Sequence, residues 1–129
     1  MVLVGVITCP ISHYKASHRA HTDKVAPTKE QLKAYARSLY SGDEIQFECL
    51  DTLWTIESHW NPYAKGYRTS QGQAIGIAQA LPADKMSVIG LDYMSNPKTQ
   101  IKWGLLYLKT RYNNRACWAL RFELNHNYY

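Results

Sequence analysis

The chain has 129 residues, enough for one hydrophobic core and not for two, so a single active site or binding face is expected. A hydrophobic fraction of 46% and a charged fraction of 19% exclude a disordered chain. Of the net charge of +5, residues 1–42 supply most, with six Lys/Arg against two Asp/Glu, whereas residues 43–129 carry nine against eight. That near balance, with no recognition motif, argues against a nucleic-acid module; the basic segment reads as a solvated arm able to rest on a polyanion.

The opening MVLVGVIT is apolar for eight residues, too short to cross a membrane, and it lacks the basic start and cleavage site of a secretory signal. It reads as a short buried strand, as a truncated gene start or, through VITCP, as a lipoprotein-type segment. Residues 10–27 mix Pro, Ser, His and Lys without periodicity and read as a linker or loose arm. His13, His18 and His21 lie there with Cys9 nearby, but the spacing matches no ordinary zinc site, so exposed histidines and no metal are expected. Three cysteines allow at most one intrachain disulfide, with one thiol left over.

Thr28 followed by Gln31 is a capping-box pattern, and Leu32, Tyr35, Ala36, Leu39 and Tyr40 then recur at helical spacing until Gly42. Asp43 can cap a second helix over about residues 44–58, which ends before Asn61 and Pro62. Residues 63–79, with glycines at 66, 72 and 76, read as loop or short strand, and LPADKMSVIG adds a short helix with Pro82 in its first turn. Asn96 caps a further helix that has Pro97 at its first position and Ile101, Leu105, Leu108 and Tyr112 on one stripe. A last helical pattern, NRACWALRFEL, precedes the aromatic end NHNYY. Trp54 and Trp103 sit on helical stripes and read as core, whereas Tyr63, Tyr67 and Tyr93 lie in loops where they could stack on a sugar.

Within the second helix, Leu50, Leu53 and Trp54 fall in an arc from about 240° to 340° around the axis, and Glu57 falls at about 280°, inside it. Glu44, Glu48, Asp51, Thr52, Thr55 and Ser58 occupy the opposite arc. A carboxyl group on an apolar face is costly to ionise, so its pKa rises, which is what a general acid requires. The plainer reading, equally weighted on position alone, has Glu57 bending out to solvent or pairing with Lys65 or Arg68.

Glu57-Ser58, an aromatic at Trp60, Asn61-Pro62 and then, after a glycine-bearing loop, Gly76-Ile77-Ala78-Gln79 form a combination that resembles the lytic transglycosylases of the lysozyme superfamily. FECLDTLWTIESHWN, GIAQALPADKM and NPKTQIKWGLLYLKTRY together are similar to the version of that domain in secreted actinobacterial wall proteins and in phage tape-measure proteins and lysins. The resemblance covers about residues 43–129 and implies a division into 1–42, a basic arm with the first helix, and 43–129, the catalytic domain. It implies a mainly α, lysozyme-like fold, formally α+β, in which a short irregular or β-like loop region borders a sugar-binding groove. It assigns the catalytic acid and then base to Glu57, and substrate contacts to Ser58, Gly76, Ile77, Ala78 and Gln79. Many relatives have a Tyr-Asn pair near the C-terminus; there is no clean copy here, and Asn125, His126 and Tyr128 lie in the corresponding region, Asn125 and Tyr128 being the supporting candidates. The resemblance also suggests a Cys49–Cys117 disulfide and hence an oxidising location; two buried thiols are the alternative, and Cys9 is the odd cysteine.

The reaction so implied is cleavage of the MurNAc–GlcNAc β-1,4 bond of peptidoglycan with formation of 1,6-anhydro-MurNAc. An ordinary glycosidase needs two flanking carboxyl groups, but Asp51 lies about 120° from Glu57 around the helix, so a mechanism with one acid fits better. No cofactor is expected, and the partner is the glycan strand, with no nucleic acid, no membrane insertion and a monomeric protein. The location is extracellular, in the cell wall or on a virion. Two other readings stay open: a hydrolytic muramidase on the same fold, which an acid between residues 62 and 96 would support, and a non-catalytic wall-binding or phage tail domain.

Overall fold

The computed structural model describes residues 25–129, which form a mainly helical domain with one small hairpin. The segment containing Cys9, His13, His18 and His21, with the apolar opening and most of the expected arm, lies outside the described residues. Four α-helices, α1 (Lys29–Leu39), α2 (Glu44–Ser58), α3 (Pro97–Tyr112) and α4 (Ala116–His126), surround strands β1 (Lys65–Thr69) and β2 (Gly72–Ile75) and a 3-10 helix at Ala83–Val88. Among these helices none is long and apolar enough to cross a membrane.

Local chemistry sets most boundaries. The Thr28 hydroxyl accepts from the Gln31 amide at 3.2 Å while the Gln31 side chain accepts from the Thr28 amide at 2.9 Å, a reciprocal cap that opens α1. α1 stops at Leu39, before Gly42, because Tyr40 turns to extended backbone and drives its phenol inward, where it donates to the Asn114 carbonyl at 2.7 Å. Gly42 is needed for a different reason: a Cβ there would overlap the Tyr40 ring. Leu32, Ala36 and Tyr40 are buried in the common core, so α1 belongs to the domain and the expected boundary after residue 42 does not separate it.

Asp43 opens α2 by accepting from the Gln46 amide at 2.9 Å. At its far end His59 and Trp60 both take left-handed backbone, φ 53° and 61°, a conformation that costs non-glycine residues energy. Burial offsets that cost at Trp60, whose ring meets Trp54 edge-on at 5.0 Å and whose Nε1 donates to Asp51 at 2.8 Å. Asp51 also pairs with Lys33 of α1 at 2.8 Å, so this acid fixes the α1–α2 packing and faces away from Glu57.

The hairpin is antiparallel, pairing Arg68 with Gln73 and Thr69 with Gly72, with an irregularity between Lys65 and Arg68. Directly after it Ile75 and Ala80 exchange backbone hydrogen bonds, both 3.1 Å, and close a tight turn over residues 76–79. Pro82 stands just before the 3-10 helix as its cap and not within its first turn.

Asn96 and Pro97 start α3 as the sequence indicates, the Asn96 side chain accepting from the Lys98 amide at 3.0 Å. This helix is buried more widely than a single stripe: Thr99, Gln100, Ile101, Trp103, Gly104 and Leu108 are all enclosed, with Leu105 and Tyr112 only partly so. Gly104 lets it lie against α2, since a Cβ there would meet the Trp54 ring at 2.5 Å. Trp54 is fully buried, and an indole of that size contributes a few kcal/mol of apolar burial. α4 packs along α2, and the Cys49–Cys117 disulfide joins the two helices with Cα atoms 4.9 Å apart.

Candidate active site

Glu57 is the penultimate residue of α2 and stands half-buried at the edge of the core. It lines a cleft of about 420 Å³ with Tyr67 and Thr69 of β1, Ala74 of β2, Gln79, Leu81 and the tail residues Asn127, Tyr128 and Tyr129. Neither Lys65 nor Arg68 pairs with it. Burial pushes its pKa up to about 8, with a further upward contribution from the charge and hydrogen bond of Glu123. The group that the helical wheel places on the apolar face thus holds its proton at neutral pH.

Glu123, on α4, is itself buried and sits beside Glu57. Glu57 Oε1 and Glu123 Oε2 are sealed from solvent and have no hydrogen-bond partner among the described residues. Sequence reasoning passed over Glu123, although the signal that singled out Glu57 was there: Glu123 follows Ala116, Ala119 and Leu120 at helical spacing on the one face of α4 that is apolar.

The turn 76–79 forms the wall opposite. Gly76 has φ 84°, and a Cβ on it would meet the Gln100 amide, so glycine is required twice over. Gln79 reaches the cleft, its Nε2 donating to Gly76 O at 2.9 Å and to Ala64 O at 3.3 Å. Those two bonds fix the amide orientation and leave Oε1 as the free acceptor, against Gly66. Ile77 is fully buried and Ala78 nearly so. Ser58 is buried as well, its hydroxyl donating to the Ile77 carbonyl at 2.7 Å. Ser58 and Ile77 therefore brace the turn from behind, and their side chains are not open to a substrate; Ala78 lines only a small adjoining cavity of about 70 Å³.

The C-terminal candidates separate. Tyr128 lines the cleft, but Asn125 and His126 face another depression, on the far side of α4, with Trp118 and Arg121. The tail residue that reaches deepest is Tyr129, which the sequence reading did not select. Its hydroxyl accepts from Trp54 Nε1 and donates to Ala78 O, both at 3.1 Å, and burial holds its pKa well above the ordinary tyrosine value. Of the loop tyrosines, Tyr67 is 96% exposed at the rim of the cleft, Tyr63 lies on a separate surface beside Pro27 and Lys98, and Tyr93 packs against the core.

Asp84 and Asp92, the two acids between residues 62 and 96, are exposed and neither lines the cleft. Asp92 is engaged with Asn96 and Thr99 at 2.7 Å each, hydrogen bonds that hold its pKa low. Among the described residues no group of three or more His, Cys, Asp or Glu is placed to hold a metal ion.

With one protonated carboxyl at a sugar-sized cleft, the arrangement suits acid catalysis, and comparison with known families assigns it: the model for the transglycosylase SLT domain matches residues 34–120. The chain belongs to the transglycosylase SLT domain family. That family acts on peptidoglycan, which makes this domain a peptidoglycan-degrading transglycosylase in broad class. The match takes in Glu57 and the 76–79 turn, begins inside α1, and ends before Glu123 and Tyr129. Searches of curated proteins and of solved structures return no match.

Proposed function

We propose that this SLT domain cleaves the MurNAc–GlcNAc β-1,4 bond of peptidoglycan and releases 1,6-anhydro-MurNAc ends, with Glu57 as the only proton donor and acceptor. The observation that carries the reading is a half-buried Glu57 with its pKa raised to about 8, in a cleft lined by no other acidic side chain among the described residues. Protonated Glu57 gives its proton to the oxygen leaving the MurNAc anomeric carbon, while the sugar's own N-acetyl group stabilises the developing positive charge. Ionised Glu57 then takes the proton of the muramyl 6-hydroxyl as that oxygen bonds to the anomeric carbon. One glycosidic bond breaks, one intramolecular acetal bond forms between O6 and the anomeric carbon, and no water enters.

A hydrolytic outcome would call for a second carboxylate roughly 5 Å or more away, across the scissile bond. Glu123 is buried beside Glu57 and does not line the cleft, so it is not placed across the scissile bond from Glu57. In the proposed complex Gln79 Oε1 accepts from a sugar hydroxyl or amide, and exposed Tyr67 and Tyr128 offer ring faces to the glycan. The likeness to actinobacterial wall domains and phage lysins belongs to the same proposal. So does a site of action outside the cytoplasm, in the wall or on a virion, which the Cys49–Cys117 disulfide favours.

Mass spectrometry of the products released from purified peptidoglycan tests this directly. Anhydro-muropeptides from the wild type and none from Glu57→Gln are expected. Reducing-end products lost in the variant would replace the proposal with a muramidase, and binding without product from either protein would replace it with a wall-binding domain.

A further inference from the structure

A single carboxyl group that must first give up a proton and then reclaim one faces a conflict. The stronger it is as an acid, the weaker the base it leaves behind. Among the described residues the cleft supplies no cation to adjust this balance: its lining contributes only uncharged side chains besides Glu57. The phenols that surround Glu57 are Tyr67 from β1, Tyr107 from α3, and Tyr128 and Tyr129 from the tail. Those of Tyr107 and Tyr129 are themselves pushed toward the neutral form, first by burial and in lesser part by the charge of Glu57. Arg111, one turn beyond Tyr107, acts on Tyr107 and is bonded to Tyr112 at 3.1 Å. What remains is Glu123, buried at 8% exposure, with an oxygen that has no hydrogen-bond partner among the described residues.

A carboxyl oxygen sealed from water and without a donor is costly, and two of them, on neighbouring carboxyl groups of α2 and α4, call for a proton between them. The α2–α4 contact that holds them together is covalently fixed by Cys49–Cys117, so the pair does not separate at will. We propose that Glu123 is the positioning partner of Glu57, its buried carboxylate accepting the Glu57 proton in a hydrogen bond and keeping Glu57 in its acid form until substrate is bound. When Glu57 has donated its proton to the leaving oxygen, two carboxylates face each other in a site of low dielectric. Their repulsion makes Glu57 a stronger base than an isolated glutamate, and the 6-hydroxyl proton returns to it as the anhydro bond forms. Glu123 neither touches the sugar nor gains or loses a proton over the cycle.

This inference rests on the transglycosylase reading, and its test separates the two. The pH dependence of kcat and KM on soluble, uncrosslinked peptidoglycan strands is measured for the wild type and Glu123→Gln, and the Glu57 side-chain carboxyl carbon is followed by NMR in both without substrate. The expected result in Glu123→Gln is a Glu57 midpoint lower by at least one pH unit. The alkaline limb of kcat moves down with it: a one-unit shift gives about a threefold loss at pH 7.5, approaching tenfold above about pH 9, with almost none at pH 5 and an unchanged KM. A Glu57 midpoint that is the same in both proteins overturns the proposal, and so does a kcat loss uniform across pH, the signature of a purely structural residue. Should Glu123→Gln not fold, the wild-type spectrum decides alone: a Glu57 carboxyl ionised by pH 6 overturns the pair. Absence of turnover by the wild type at every pH would instead remove the transglycosylase reading, while the NMR midpoints still report on the pair.

Discussion

Gln100 on α3 accepts the backbone amide of Ile77 at 3.0 Å, and its own amide donates to the carbonyls of Pro62 and Tyr93 at 3.0 and 2.9 Å. One fully buried side chain thus ties α3 to the turn beside Glu57, to the exit of α2 and to the loop before α3. Leucine fills similar space but leaves one buried and two part-buried backbone groups without partners. At about 1–3 kcal/mol for each, discounted because some will recruit water, Gln100→Leu should cost about 3–5 kcal/mol. Urea unfolding measures this, and a cost below about 1 kcal/mol would show that the turn does not depend on Gln100.

The disulfide closes a long stretch of chain, its cysteines being 68 residues apart in sequence. Loss of loop entropy in the unfolded chain then stabilises the native state by about 4 kcal/mol. Cys49→Ser with Cys117→Ser should lower stability by that order, and the bond spans the helices that carry Glu57 and Glu123. Denaturant curves with and without reductant check the figure. Identical curves would mean that packing between α2 and α4 already does the same work.

The helices were readable because their signals are local. Thr28, Asp43, Asn96 and Pro97 each act within one turn, and the structure places each at a helix start. Glu57 was readable because a charged residue on an apolar stripe violates the pattern that surrounds it. The same rule identifies Glu123 and Gln100 once it is applied to α4 and α3. Ser58 was harder: on the wheel it joins the polar arc, and only the approach of the 76–79 turn buries it and supplies the Ile77 carbonyl as acceptor. Tyr129 gave no signal, since its place depends on the tail folding back onto Trp54 and Ala78, which no periodicity encodes. Asn125 and Tyr128 are three residues apart, yet Asn127 in left-handed backbone turns the chain after α4 and sends them to different faces.

Tyr129 therefore carries its own prediction. Tyr129→Phe removes an acceptor from the indole of buried Trp54 and a donor from Ala78 O. The expected loss is about 1–3 kcal/mol, with a fall in Tm of roughly 4 °C or more for a domain of this size. Tyr128→Phe, at 58% exposure, should change stability by less than about 0.5 kcal/mol. Calorimetry on both variants decides: equal effects would mean that the deep hydroxyl contributes no more than the exposed one.

The raised pKa of Glu57 also makes stability depend on pH. In the unfolded chain the group titrates near 4.5, and in the folded protein near 8, so between these values the native state binds the proton more tightly. Its contribution is fully present below about pH 4.5 and is lost as pH rises through about 8. Glu57→Gln places a neutral amide of the same shape beside Glu123 and escapes that loss. The variant should match the wild type near pH 4.5 and exceed it in stability at pH 8.5. Because the cleft admits solvent, which screens the charge, we expect an excess of about 2 kcal/mol and not the full value of the shift. Denaturant midpoints measured from pH 4.5 to 8.5 test the sign: a wild type that gains on the variant as pH rises would show that Glu57 is stabilised as a carboxylate in the folded protein.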